Sequence, residues 1–167
     1  MAPLDINDVI GDVLVLARAE LQNLDVRVRT DLNVGLPSLR GDRGQLQQVL
    51  LNLVTNAIQA MSGVSDRPRV LTIRSQRCER DDVLVEVEDT GIGLAPNCID
   101  QIFESMFTTK PGGMGMGLSI SKSIVEAHGG RLWASPTDRF GAIFRMVMPA
   151  NASGDRMGGQ ADVDQRR

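Results

Sequence analysis

The sequence predicts an α/β (α+β) two-layer sandwich, a mixed β-sheet of about five strands covered on one face by three helices. Three observations predict it. Apolar residues recur at three- and four-residue spacing in three separate stretches, 5–24, 42–61 and 117–128, which marks amphipathic helices. Between and after them stand short alternating or β-branched runs bounded by turn residues, which mark strands. The resulting order is helix, strand, helix, paired strands, long loop, helix, paired strands, and 167 residues are enough for one domain with a real core.

The first helix, over 5–24, places Ile6, Val9, Ile10, Val13, Ala17 and Leu21 on one face, with Asp5 or Asn7 as its cap. It reads as a linker helix more than as a site. Val26, Val28 and Thr30 alternate with Arg27, Arg29 and Asp31, so a half-buried strand is expected there. Residues 32–41 form a connection with a short strand at Leu39 and Arg40. The second helix opens at Asp42, which with Gln45 has the form of an N-terminal capping pair. Leu46, Val49, Leu50, Leu53 and Ala57 line its core face. A stripe of uncharged amides, Gln45, Gln48, Asn52, Asn56 and Gln59, runs along another side, either a solvated face or a functional one.

Residues 70–78 and 83–88 make an antiparallel pair turned at 80–82, with Leu71, Ile73, Leu84 and Val85 or Val87 toward packed faces. From 94 to 116 periodicity fades except for a short turn at 99–103; a loop of that length in a compact domain is functional or disordered. The third helix, 117–128, turns Leu118, Ile120, Ile124 and Val125 inward and stops at Gly129 and Gly130. Two closing strands, 131–134 and 142–148, follow, and the tail over 151–167 lacks the apolar content to fold.

Composition excludes several functions. A net charge of -3, with four Phe, one Trp and no Tyr, offers neither a basic footprint nor stacking platforms for nucleic acid. No apolar run could span a bilayer, and the start carries no secretory pattern. Cys78 and Cys98 have no metal-ligand spacing and read as reduced thiols of a cytosolic domain. His128, the only histidine, has no nucleophile motif nearby, which argues against a hydrolytic triad; it is expected to cap the end of its own helix.

Two glycine-rich segments carry chemistry. Asp89-Thr90-Gly91-Ile92-Gly93 ends a strand with an acid and two glycines: a capped turn, or a carboxylate that accepts from an amino group such as that of adenine, with bare backbone beneath the base. Gly112 to Leu118 opens a helix with free N–H groups: a flexible loop, or a phosphate cradle that is neither a Rossmann fingerprint nor a P-loop. Lys110 precedes it, as a solvated charge or a phosphate contact. Phe103, Met106, Phe107, Met114 and Met116 give the same loop the adaptable apolar side chains of a lid or of ordinary anchoring.

Taken in order, NLVTNA, DTGIG, IFESMFTTK, GMGMGL, AHGGRLW and GAIFRMVMP resemble the N, G1, F and G2 boxes and closing strands of the catalytic ATP-binding domain of sensor histidine kinases, in the GHKL superfamily with its Bergerat fold. The run from Ile102 to Gly130 is similar to the nitrogen- and oxygen-sensing subfamily. The resemblance implies an ATP-binding kinase domain over 26–150, a linker helix over 1–25 from a preceding dimerisation domain, and a disordered tail. It further implies Mg²⁺ on Asn56 and phosphate contact from Asn52, a turn away. Asp89 would take the adenine amine, with Gly91 and Gly93 admitting the base. Thr109 and Lys110 would meet ATP, Lys110 neutralising charge on the γ-phosphoryl group, and Gly113, Gly115, Gly117 and Leu118 would hold phosphates by their backbone. Two positions depart from the pattern: Gln59 stands where many relatives carry a cation, and Ile143 where a Thr often supports a water-mediated adenine contact.

ATPase members of the superfamily carry a Glu where this chain has Asn52, and an amide cannot act as a general base. The resemblance therefore implies phosphoryl donation to a histidine on a separate dimerisation domain, then relay to a response-regulator receiver domain. The alternatives are a degenerate ATP-sensing or scaffolding module, a GHKL ATPase, and an interaction domain that binds no nucleotide. The isolated domain is expected to be a cytoplasmic monomer and the parent a homodimer, with any membrane anchor in regions outside this chain.

Overall fold

A computed structural model describes residues 2–99, 101–104 and 117–150. The chain begins with a short strand, β1 (Ala2–Leu4), and Asp5 then caps helix α1 (Ile6–Leu16) by accepting from the Asn7 N–H. A second helical segment, α2 (Arg18–Asn23), follows at once. The single expected helix is thus broken at Ala17, where ψ is 0°. The hydrogen-bond ladder runs through the break, from Ala17 N–H to the Val13 carbonyl and from Leu21 N–H to that of Ala17, which is why the apolar periodicity does not register it. Ile6, Val9, Ile10 and Val13 are buried in the same core as the later helices, so the expected linker helix is a core element.

Strand β2 (Arg27–Leu32) leads to β3 (Leu39–Gly41), which pairs antiparallel with β1. Helix α3 (Arg43–Met61) starts at the Asp42 cap, whose carboxylate accepts from Gln45 N–H at 3.0 Å. Such a cap contributes about 0.5–2 kcal/mol. Leu46, Val49, Leu50, Leu53, Val54, Ala57, Ile58 and Met61 are buried. Each large apolar side chain buried this way contributes about 1.5–3 kcal/mol, enough to fix the helix's rotation and so the direction of its amide stripe.

Strands β4 (Val70–Arg77), β5 (Val83–Glu88), β6 (Arg131–Pro136) and β7 (Ala142–Met148) complete a five-stranded sheet with β2, ordered β2-β4-β5-β7-β6. The β2–β4 pair is parallel and the others antiparallel, so the sheet is mixed as expected. Helix α4 (Gly117–Ala127) packs between α3 and the closing strands. It ends with Gly129 N–H bonded to the Glu126 carbonyl and Gly130 N–H to that of Val125, which fits a Schellman stop.

Three details depart from the sequence reading. Strand β2 is exposed rather than half-buried, because it is the sheet's outer edge; Arg27, Arg29 and Asp31 there discourage pairing with another chain. Val83, Val85 and Val87 form the buried face of β5, leaving Leu84 half-buried on the other side with its register partner Val147. On α4 the buried positions are Ser121 and Val125, while Ile120 is exposed: the helix is rotated so that a hydroxyl, not an isoleucine, meets α3. The tail over 151–167 lies outside the described residues.

Candidate functional site

Asn52, Asn56 and Ala60 recur every fourth residue along α3 and so lie on one stripe, spanning about 12 Å of helix at 1.5 Å per residue. Different pieces of the chain close on the two ends of that stripe. At the Ala60 end, the Ile92 N–H donates to the Ala60 carbonyl at 3.1 Å, seating the turn after β5 against the helix. Only glycine fits at position 91, where a Cβ would lie 2.5 Å from the Ala60 carbonyl carbon and oxygen. Asp89 is 1% exposed; its Oδ1 accepts from Gly91 N–H at 2.8 Å, and its backbone N–H donates to the Ala142 carbonyl. A buried carboxylate held by backbone in this way has its position set before any ligand arrives.

Thr90, between these residues, ties the same turn to the loop after α3. Its hydroxyl donates to the Pro68 carbonyl at 2.8 Å and accepts from Val70 N–H at 3.0 Å. Across the turn, the guanidinium of Arg67 lies 4.0 Å from the centre of the Phe140 ring. Gly141 follows Phe140 with φ +84°, and a Cβ there would sit 2.0 Å from the Asp89 carbonyl oxygen. Ile92 is 72% exposed beside this buried acid, an apolar side chain available to a flat ligand.

At the other end, Asn52 faces the start of α4. Its Nδ2 donates to the Ser121 hydroxyl at 3.1 Å and to the Gly117 carbonyl at 3.3 Å, and the Ser121 hydroxyl donates to the same carbonyl at 2.9 Å. Asn56 is half-buried one turn further along. Gln45, Gln48 and Gln59 are exposed, so the amide stripe divides into two site-facing residues and three solvated ones. Leu118 is half-buried against the core, and Gly117 opens α4. Thr109, Lys110, Gly113 and Gly115, with the lid residues Met106, Phe107, Met114 and Met116, lie outside the described residues. Phe103 is described: it packs edge-on against Phe144 with ring centres 6.1 Å apart, an anchoring contact at the start of that loop.

Ile143 stands away from the adenine-contact position expected for it. Strand alternation puts it on the sheet's outer face in register with Glu88 and Ser135, while buried Ala142 stands on the side of Asp89. A side chain placed to help an adenine contact would come from position 142.

His128 ends α4 as expected and does more. Its Nδ1 lies 2.8 Å from the Ile124 carbonyl, and its Nε2 accepts from Asp42 N–H at 3.1 Å, joining the end of α4 to the cap of α3. Both ring nitrogens are therefore occupied by backbone. Replacing His128 with Ala is expected to lower stability by about 1–2 kcal/mol, read as a lower urea midpoint. An unchanged midpoint would mean the inter-helix bond contributes nothing. The Cys78 thiol is pushed up from its ordinary pKa, by burial first and then by Asp82 and Glu79, which makes it a poor nucleophile.

The fit to a nucleotide rests on the donor chemistry. Among the described residues no group of three His, Cys, Asp or Glu could hold a metal, so a hard cation here would rely on amide oxygens and its ligand's own oxygens. Asn52 and Asn56 carry amide groups at one end of the stripe, and Asp89 a carboxylate at the other. Sequence reasoning missed Thr90, Gly141 and Ser121. Ser121 had a signal, a polar residue on the side of the helix that should be apolar.

Comparisons with known proteins bear on the family and the fold. Residues 41–152 match the family described as histidine kinase-, DNA gyrase B- and HSP90-like ATPase. The chain is 46% identical over 137 residues to the sensor protein FixL of Bradyrhizobium diazoefficiens, covering 82% of this chain and 26% of FixL. The nucleotide-free catalytic domain of the histidine kinase ThkA superposes with a TM-score of 0.78 at 29% identity, covering 89% of this chain and 95% of that one; ThkA has also been solved in complex with the response regulator protein TrrA. Full-length ShkA in complex with AMPPNP gives a TM-score of 0.78 at 28% identity, covering 89% of this chain and 31% of ShkA. The chain thus spans about a quarter of FixL and under a third of ShkA. Fold, motif order and these likenesses together show that the chain belongs to the histidine kinase-, DNA gyrase B- and HSP90-like ATPase family, as a catalytic domain of the sensor histidine kinase kind.

Proposed function

We propose that this domain binds Mg-ATP along the α3 stripe and donates the γ-phosphoryl group to a histidine on a separate dimerisation domain of its parent kinase, from which a receiver domain takes it. The adenine amine meets Asp89, the base lies over the Gly91 turn beside Ile92, and the triphosphate runs toward Asn56, Asn52 and the first turn of α4. Magnesium, when bound, neutralises phosphate charge; Asn56 is the residue assigned to hold it, and Lys110 and Thr109, with the backbone at Gly113, Gly115, Gly117 and Leu118, are assigned to the phosphates.

The observation that carries transfer over hydrolysis is the state of Asn52. It is an amide held by Ser121 and Gly117, where hydrolysis would need a carboxylate to take a proton from water. Nor does the chain contain an accessible acceptor of its own, since both nitrogens of its only histidine are bonded. The chain alone is therefore expected to take up no label from γ-labelled ATP and to label a supplied histidine-containing dimerisation domain. Labelling of the isolated chain, or phosphate release at a comparable rate without the partner, would overturn this reading. Nucleotide binding with no transfer to any supplied partner would favour a sensing module.

ShkA, a relative that covers most of this fold, was solved with AMPPNP, which supports the nucleotide assignment, and the ThkA–TrrA complex supports a receiver domain as a partner. Among the described residues no helix is long and apolar enough to cross a membrane.

A further inference from the structure

We infer that Ser121 is a positioning residue that fixes the Asn52 carboxamide with its oxygen, and not its NH₂, toward the bound nucleotide, so that Asn52 meets the water shell of the magnesium ion and makes no direct bond to phosphate. The inference deepens the Mg-ATP reading and rests on it. It follows from counting donors. A side-chain amide has two N–H donors on nitrogen and acceptor lone pairs on oxygen. Facing Asn52 from α4 is the Gly117 carbonyl, which can only accept, so the nitrogen must point that way. The second hydrogen goes to the Ser121 hydroxyl at 3.1 Å, whose own hydrogen is committed to Gly117 at 2.9 Å. The donor capacity of Asn52 is then exhausted.

A phosphate oxygen needs a donor, and Asn52 has none left to give it. Its Oδ1 remains, and among the described residues none donates to it. An oxygen acceptor next to a triphosphate is suited to a hydrated cation, and magnesium holds its waters tightly. Ser121 is 0% exposed on a helix face that is otherwise apolar, so its hydroxyl has no solvent to serve, and this network is where it is used. Without the hydroxyl, one Nδ2 hydrogen loses its partner and only the longer bond to the Gly117 carbonyl, at 3.3 Å, still opposes turning the amide over, so a larger share of the protein presents a donor to the nucleotide in place of the acceptor.

Two measurements test this. In the first, a fluorescent ATP analogue is titrated against wild type, Ser121→Ala and Ser121→Thr at stepped magnesium concentrations. The magnesium needed for half-maximal binding should rise about three- to tenfold in Ser121→Ala, the size expected for losing one oriented polar contact. It should stay near wild type in Ser121→Thr, which keeps the hydroxyl. An unchanged magnesium midpoint in a folded Ser121→Ala protein overturns the inference. The second uses the wild-type chain only, with the Asn52 side-chain amide signals identified by their absence from an Asn52→Ala spectrum. They should stay in place when AMPPNP is added without magnesium, since both hydrogens are already bonded; a large shift marks a direct phosphate contact and overturns the inference. Wild-type protein that binds no nucleotide at any magnesium concentration would instead sink the Mg-ATP reading itself.

Discussion

Replacing Asp89 with Asn should weaken ATP binding about 30- to 150-fold while leaving the chain folded, the equivalent of about 2–3 kcal/mol. The substitution is nearly isosteric, and an Asn oxygen can still accept the Gly91 N–H that Oδ1 now accepts at 2.8 Å. The second oxygen, however, becomes an NH₂ group. An amine facing an amine is two donors with no acceptor between them, so the change removes a charge-assisted bond and leaves the adenine amino group without its acceptor. Burial makes the effect large: at 1% exposure, water cannot fill in for the missing partner. Calorimetric titration of wild type and variant with ATP measures it. Equal heats and equal affinities would remove Asp89 from the base site and leave the turn a purely structural one. A loss of affinity for GTP as large as that for ATP would also count against the assignment, because guanine offers no amine at the same ring position.

Much of this arrangement was legible in the chain before its structure. The α3 helix was marked at its start by Asp42 and Gln45, and by its apolar residues throughout, because capping and amphipathicity are local properties. The sheet was legible for the same reason: its antiparallel neighbours are near in sequence, and turn residues mark their ends. What could not be read was set by distant parts of the chain. The exposure of β2 depends on its being the sheet's edge, which alternation does not reveal. The β1–β3 ribbon joins residues almost forty positions apart, as Ala2 pairs with Gly41. The partner of Ser121 could not be read from α4 alone, because Asn52 reaches it from α3, 69 residues away. His128 looked like a helix end until Asp42, from the far side of the core, supplied its second bond.

The same distinction separates the residues that make the site from those that hold it. Asn52, Asn56 and Asp89, the residues proposed to meet the nucleotide, were marked by the resemblance of NLVTNA and DTGIG to the family's motifs. The roles of Thr90 and Gly141 were not legible, because their work is steric and depends on which strands meet. Thr90 fastens the turn to the Pro68 carbonyl from one side, and Gly141 lets β7 close against Asp89 from the other. The carboxylate is held between them.

Gly141→Ala should therefore cost more stability than any other small substitution near the site, at least about 3 kcal/mol. Two penalties add. At φ +84° an alanine is strained whatever surrounds it, and its methyl would stand 2.0 Å from the Asp89 carbonyl oxygen and 2.7 Å from Oδ1. Neither neighbour is the loose end of a flexible chain: one is backbone and the other is the bonded carboxylate oxygen, so relief means moving β7 away from β5. That movement would break the bond from Asp89 N–H to the Ala142 carbonyl and tilt the carboxylate, so ATP affinity should fall along with the urea midpoint. Gly11→Ala supplies the contrast. Gly11 lies within α1 with nothing inside 4 Å of its added methyl, so the same chemical change should raise stability by up to about 1 kcal/mol and leave ATP binding untouched. Urea unfolding of the two variants side by side compares them directly. A Gly141→Ala protein within 1 kcal/mol of wild type would mean that the turn before β7 does not press on Asp89, and the base end of the site would have to be rebuilt.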